Sequence, residues 1–190
     1  MKRVTNMESI AFSEQELLIN ASTDHGCYVE ILERIKQQID AMLSYHSRVL
    51  VVRVDLHTVS FQPDNQMMSA FIRKIRKRLS NKHGLKRMGF VWVREQEKAK
   101  SQHYHLALFI DANKVRHPHH IILGIEAIWQ SWLNPKPFTP KNCYYIIKRN
   151  EPESIIEPFY RLSYLAKVRG KGYKNKTAND FSTSRISLKQ

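Results

Sequence analysis

Two apolar stretches joined by a short connection constrain the fold of this chain most strongly. Residues 89–97 and 103–110 are rich in valine, leucine and aromatic side chains, and a mainly polar run, 98–102, lies between them. This pattern predicts the two strands of a β-hairpin, because a connection this short allows only antiparallel pairing. The chain is therefore predicted to contain an antiparallel sheet.

Hydrophobic periodicity along the rest of the chain predicts four helices and two more strands. Apolar residues recur at spacings of three and four in each predicted helix, which indicates one buried face. The predicted helices span residues 28–43, 63–79, 119–133 and 153–168, and the predicted strands span 48–59 and 143–148. Asp55 and His57 lie within the first of these strands and are assigned structural roles. The order of elements indicates an α+β fold with a central antiparallel sheet and helices packed mainly on one of its faces.

Composition divides the chain into a central domain and two tails. Residues 1–24 are polar and weakly periodic, so they are expected to form a flexible N-terminal arm with at most one helical turn. Residues 25–168 carry the periodic elements and are expected to form one domain. Residues 169–190 hold six Lys and Arg residues against one acid, Asp180, and are expected to form a mobile basic tail with a docking point at Phe181.

The charge of the chain is strongly positive, with 31 Lys and Arg residues against 17 Asp and Glu residues and a formal net charge of +14. An excess of this size favours a polyanionic partner, most often nucleic acid. Cys27 and Cys143 lack the spacing of a disulfide scaffold or a cysteine zinc site, which fits a reducing compartment. The sequence shows neither a secretory signal nor the ~18 consecutive apolar residues of a membrane span, so a cytoplasmic location without a membrane partner is expected.

The second predicted hairpin strand begins with two histidines, His103 and His105, on either side of a tyrosine. Side chains alternate along a strand, so both imidazoles are expected on one face of the sheet, where they can bind one metal ion. In a symmetric hairpin Glu95 faces His105 and Glu97 faces His103, which adds a carboxylate ligand. Two imidazoles and a carboxylate suit Mn²⁺ or Mg²⁺, and also zinc. The alternative is a pair of water-facing histidines near the end of the hairpin.

A second candidate site lies on the last predicted helix, which contains Tyr160, Tyr164 and Lys167. Spacings of four and three residues place these side chains on one face of a helix. A phenol, with a pKa of about 10, is a poor nucleophile unaided, whereas a neighbouring lysine favours the phenolate or holds a phosphate. The helix therefore offers a candidate nucleophile, the alternative being two tyrosines that fill the core.

These two sites, in this order along the chain, resemble the motifs of the HUH endonucleases. The resemblance rests on VRVDL (52–56), on WVREQE (92–97) followed by HYHLALFID (103–111), on SYLAK (163–167) and on the terminal FSTSR (181–185). The arrangement is most similar to that of the rolling-circle replication initiators of filamentous phages and their prophage relatives, the inovirus gene-II-type proteins.

The resemblance implies a fold, a reaction and roles for individual residues. The fold is the HUH/RRM-like palm, here a nuclease domain spanning residues 25–168. A divalent metal ion, Mg²⁺ or Mn²⁺, polarises a phosphodiester of single-stranded DNA at a replication origin. A tyrosine attacks the phosphorus, which leaves a 5′-phosphotyrosine and a free 3′-hydroxyl that primes replication. A host replication helicase is implied as a further partner. The matching positions are His103, His105 and Glu95 for the metal, with Glu97 as the alternative third ligand, and Tyr164 and Lys167 for catalysis, joined by Tyr160 in two-tyrosine members.

Contacts with nucleic acid are expected from basic residues on two parts of the chain. They are Arg73 and Lys77 on the second predicted helix and Arg169, Lys171 and Arg185 in the tail. Two other functions stay open, a non-catalytic module that binds single strands and a metallohydrolase in which a glutamate activates water. The orientation of Tyr164, toward the histidines or into the core, distinguishes the first, and a trapped protein–DNA adduct distinguishes the second.

Overall fold

The computed structural model describes residues 3–13, 15–96, 102–133, 135–171 and 178–190. The helices are α1 (Val29–Tyr45), α2 (Gln66–His83), α3 (His119–Gln130) and α4 (Ile156–Ser163), with short 3₁₀ turns at Pro152–Ile155 and Tyr164–Ala166. The strands are β1 (Val4–Thr5), β2 (Ser9–Phe12), β3 (Gln15–Leu18), β4 (Cys27–Tyr28), β5 (Arg48–His57), β6 (Met88–Glu95), β7 (His103–Asp111), β8 (Tyr144–Lys148) and β9 (Phe181–Thr183). None of the described helices has the length and apolar character needed to cross a membrane.

The main sheet has the strand order β8-β5-β7-β6-β9, and each neighbouring pair in it is antiparallel. The predicted hairpin is β6 and β7, which confirms the antiparallel sheet. β5 and β7 lie inside the sheet, where strands on both sides satisfy their backbone hydrogen-bonding groups. The end of β5, the end of β6 and the beginning of β7 therefore lie side by side.

Helices cover both faces of this sheet, which corrects the expectation that they pack mainly on one. On one face, α2 and α3 pack against even-numbered residues of β5 and β7, such as Val52 and Leu106. On the other face, α1 and α4 pack against odd-numbered residues, such as Val51 and Phe109. The reason is that the central strands are apolar on both faces, since every residue of β6 is buried and so are all residues of β7 after His103.

The N-terminal segment forms strands instead of the expected helical turn. β1 pairs with β4, and β2 pairs with β3. Leu17 and Ile19 are buried in the core that contains α1 and α4. Strands of two to four residues are too short to show the periodicity on which the expectation depended.

The C-terminal segment adds the edge strand β9 to the main sheet, next to β6. Phe181 packs against the core of α1 and α4, and Asp180 and Ser184 on either side of β9 are buried. Residues 181–183 thus complete the sheet, although the sequence predicts a mobile tail beginning at 169. Lys174 and Lys176 of that tail lie outside the described residues.

Candidate active site

The predicted histidine pair lies at the beginning of β7, on the face of the sheet that α1 and α4 cover. The register pairs Glu95 with His103 and Val93 with His105, so the expected pairing of Glu95 with His105 is wrong. The connection runs from 96 to 102, two residues longer on the β6 side than the symmetric loop that was assumed. A slip of two positions keeps every side chain on its face, so Glu95 still lies beside both imidazoles. Glu97 lies outside the described residues.

Glu95, His103 and His105 converge on one point. Oε2 of Glu95 lies 3.1 Å from Nε2 of His105 and 3.5 Å from Nε2 of His103. One potential ligand atom from each residue lies within 4.8 Å of the other two. His105 is buried, whereas 21 % of the His103 side chain is exposed, which leaves an approach from solvent. Three nitrogen and oxygen ligands with an open side are typical of catalytic metal sites, so this group can hold a divalent cation.

Asp55 is the first of two residues of the site whose roles sequence reasoning missed. It lies opposite His105 in the pairing of β5 with β7, and its Oδ1 lies 2.7 Å from Nδ1 of His105. A carboxylate can only accept, so Nδ1–H donates and Nε2 faces Glu95. A carboxylate that orients an imidazole in this way is a common outer partner of the histidine ligands of metal sites. Burial would lower the pKa of His105, but the hydrogen bonds with Asp55 and Glu95 outweigh it and raise that pKa.

Lys171 holds the other oxygen of Glu95. Its side chain is fully buried, and its Nζ donates to Glu95 Oε1 at 2.6 Å and to the carbonyl oxygen of Lys167. Burial would raise the pKa of Glu95, but the hydrogen bonds from both histidines and the charge of Lys171 lower it far below its ordinary value. Lys171 was expected to contact nucleic acid, and the structure instead makes it a partner of Glu95.

Tyr164 is the predicted nucleophile that the structure brings to the histidines. α4 ends at Ser163, and Tyr164 begins the 3₁₀ turn that follows, so the helix is shorter than the predicted one. The Tyr164 ring meets the His105 ring edge-on, with 5.3 Å between the centroids. Arg53 and Lys167 lie over the Tyr164 ring, with 4.6 Å from the Arg53 Cζ and 5.0 Å from the Lys167 Nζ to its centroid.

The environment of Tyr164 favours the protonated phenol. Burial raises its pKa, the charge of Glu95 raises it further, and the charge of Arg53 opposes both. Tyr160, one turn earlier on α4, is 36 % exposed. The described contacts therefore place Tyr164, and not Tyr160, against the candidate metal ligands.

The other residues expected to contact nucleic acid are on the surface. Arg73 and Lys77 are exposed on α2, on the face of the sheet opposite the histidines. Arg169 is exposed shortly after Lys167, and Arg185 is exposed shortly after β9. Contacts of these four basic residues with nucleic acid stay predictions.

His57, which was assigned a structural role, stacks on His103 with 5.5 Å between the ring centroids.

Comparison with known proteins places the chain in a family. The uncharacterized protein YfjJ of Escherichia coli (strain K12) is 27 % identical over 190 residues, an alignment that covers 78 % of this chain and 91 % of that protein. No solved structure matches the chain. These comparisons do not bear on the resemblance to HUH endonucleases, which stays a prediction. The sequence model of the YagK/YfjJ C-terminal domain matches residues 12–184, a range that includes the histidine pair, Glu95 and Tyr164, and the chain therefore belongs to the YagK/YfjJ C-terminal domain family.

Proposed function

We propose that the protein is a metal-dependent endonuclease that nicks and rejoins single-stranded DNA through Tyr164 and so initiates rolling-circle replication. The observation that carries the proposal is the edge-on contact between the Tyr164 and His105 rings. A nucleophile in contact with a candidate metal ligand can act on the same phosphodiester as the metal. The HUH/RRM-like palm belongs to the same proposal, which the antiparallel sheet and its histidine pair support.

Glu95, His103 and His105 would hold the cation, for which we propose Mg²⁺ or Mn²⁺. The set fits such an ion because a hard carboxylate oxygen joins two imidazole nitrogens at one point. When bound, the cation supplies Lewis-acid polarisation of a phosphodiester oxygen. Asp55 keeps the His105 ring oriented, and Lys171 keeps the Glu95 carboxylate in place.

In the proposed reaction the Tyr164 hydroxyl oxygen forms a bond to phosphorus and gives up its proton to solvent. The bond from phosphorus to the 3′-oxygen breaks, and that oxygen takes up a proton to become a free 3′-hydroxyl. The DNA stays attached as a 5′-phosphotyrosine, and attack by a 3′-hydroxyl reverses the step and rejoins the strand. Arg53, over the Tyr164 ring, favours the phenolate that forms.

The contacts of the site weigh against the two other functions. In a metallohydrolase Glu95 or Glu97 would act as a general base. Both imidazoles and Lys171 already engage the two oxygens of Glu95, and Glu97 lies outside the described residues. In a simple binding module Tyr164 would fill the core, yet its ring is half-buried and lies against His105. Tyrosine chemistry at the candidate metal centre therefore fits the described contacts better than either.

Replacing Tyr164 by Phe tests the proposal, because it removes one oxygen and keeps the ring. The protein is incubated with Mn²⁺ and a pool of fluorescent single-stranded oligonucleotides with a randomised centre, and denaturing electrophoresis detects the covalent adduct. The native protein should form the adduct and Y164F should not. Tyr160→Phe is the matched control, which should keep most of the adduct because Tyr160 is away from the histidines. An adduct with Y164F, or none with the native protein, would contradict the proposal.

A further inference from the structure

A cavity of about 180 Å³ lies on the same face of the sheet as the candidate active site. It is bounded by β5, by β8 with the turn before it, and by α4; we refer to it as the basic cavity. Arg53 connects the two sites, since it lines the basic cavity and its guanidinium carbon lies 4.6 Å from the centroid of the Tyr164 ring. Arg161 and Leu162 of α4, which also line the cavity, shortly precede Tyr164 in the chain.

The charge of the basic cavity is of one sign. Arg53, Lys141 and Arg161 line it, and no acidic residue is among the described residues that do so. Asp55 and Glu157 contact lining residues without lining the cavity themselves: Asp55 lies 3.5 Å from Nη2 of Arg53, and Glu157 accepts a hydrogen bond from the Tyr145 hydroxyl. Three cations around a space of this size favour an anion with several acceptor oxygens.

Arg53 also carries a donor that lacks an acceptor. Its Nε is buried and has no hydrogen-bond partner among the described residues. A buried donor without an acceptor is unfavourable, and this one belongs to a residue that lines the basic cavity. The remaining wall is partly apolar, with Pro140, Pro158 and the ring of Tyr145, and such surfaces can pack against a sugar.

We propose that the basic cavity is a substrate subsite that holds one phosphate of the single strand, next to the phosphate that Tyr164 attacks. The inference rests on the proposed function and adds to it the place where the flanking nucleotide is held. A cavity of about 180 Å³ is large enough for a phosphate group and too small for a base-paired duplex. A phosphate held there contributes equally to binding of the substrate and of the transition state, and the subsite thus favours single-stranded substrates.

The test combines two substitutions that each remove a positive charge, Arg161→Gln and Lys141→Gln. Arg53 is left unchanged because it contacts the Tyr164 ring. The control is Lys82→Gln with Lys86→Gln, which removes the same charge from two exposed lysines close to the beginning of β6, away from Glu95. The full-length proteins are assayed for the rate of adduct formation against the concentration of an oligonucleotide recovered from the adduct pool. R161Q/K141Q should raise KM about tenfold relative to K82Q/K86Q, with kcat within about twofold, since the cavity binds substrate and transition state alike.

A second measurement locates the phosphate. Single phosphates around the cleaved position are replaced one at a time by a neutral methylphosphonate, and each oligonucleotide is assayed with the native and the R161Q/K141Q protein. At one position adjacent to the cleaved phosphate, the methylphosphonate should raise the KM of the native protein but should raise the KM of R161Q/K141Q little further. Such non-additive effects are expected of groups in direct contact. A KM of R161Q/K141Q equal to that of the control, or methylphosphonate effects that add at every position, overturns the subsite alone. Absence of any adduct with the native protein overturns the proposed function as well.

Discussion

Asp55 determines how the buried imidazole of His105 is presented to the candidate metal. The carboxylate accepts the Nδ1–H of His105, so the ring cannot turn without losing a charge-assisted hydrogen bond. Nε2 of the same ring consequently stays directed at Glu95. Outer partners of this kind set the orientation and basicity of histidine ligands, so we expect the metal affinity of the candidate site to depend on a residue that is not itself a candidate ligand.

Asp55→Asn should weaken Mn²⁺ binding by about tenfold or more without unfolding the protein. The amide oxygen can still accept the Nδ1–H, but it lacks the charge that makes the ring a better ligand. Isothermal titration calorimetry of Mn²⁺ into the native and D55N proteins measures the effect. Asp40→Asn is the control, because Asp40 is a partly exposed carboxylate on α1 that pairs with Lys36. Equal affinities of native and D55N protein would show that Asp55 does not support the metal ligands.

The grouping of the candidate ligands was predictable from the sequence, and their supporting residues were not. His103, His105 and Glu95 belong to one hairpin, so side-chain alternation alone places them together. Asp55 is 50 residues from His105 in the sequence, and Lys171 is 76 residues from Glu95. Their positions depend on the register of β5 against β7 and on the path of the chain after α4, which no local pattern determines.

β9 covers the edge of the sheet next to the candidate active site. It pairs with residues 91–93 of β6, only two positions before Glu95. Without β9 the outer backbone groups of β6 would be unpaired and open to pairing with another chain. The strand is short, and Phe181 adds burial against the core of α1 and α4.

Deleting residues 178–190 should lower the melting temperature by roughly 5 °C or more and promote aggregation. The deletion exposes apolar surface that Phe181 covers and leaves β6 as an open edge. Differential scanning calorimetry and light scattering after size-exclusion chromatography measure the two effects. Deletion of residues 187–190 is the control, since it leaves β9 and the buried Ser184 in place. If both deletions melt at the same temperature, β9 does not stabilise the sheet.

Long elements were predicted well, and so was the five-residue strand β8, whereas the shortest strands were missed. β5, β7, α1 and α3 each have enough residues for a period of two or of 3.6 to be recognised. β2, β3 and β9 have three or four residues each, too few for either period. The last predicted helix was too long, because Lys167 leaves helical geometry and forms a bridge with Cys27 of β4, a contact that depends on the N-terminal strands.

The distribution of positive charge over the protein has a consequence for how a strand of DNA can lie on it. The candidate active site and the basic cavity are on the face of α1 and α4, whereas Arg73 and Lys77 are on α2, on the other face. Arg185 lies shortly after the edge strand β9, between the two faces. A strand that contacts the candidate active site as well as Arg73, Lys77 and Arg185 must therefore pass around the β9 edge of the sheet.

Neutralising α2 tests whether bound single-stranded DNA follows this path. Arg73→Gln with Lys77→Gln should make the slope of log affinity against log salt concentration shallower by about 1.4, since each neutralised phosphate of a single strand contributes about 0.7. Fluorescence anisotropy at several salt concentrations measures the slope, with Tyr164→Phe in every protein so that no cleavage occurs. Lys82→Gln with Lys86→Gln removes the same charge at the C-terminal end of α2 and shortly after it, and should change the slope less. An unchanged slope for R73Q/K77Q would confine the bound strand to the face of α1 and α4, and the predicted contacts of Arg73 and Lys77 would then be wrong.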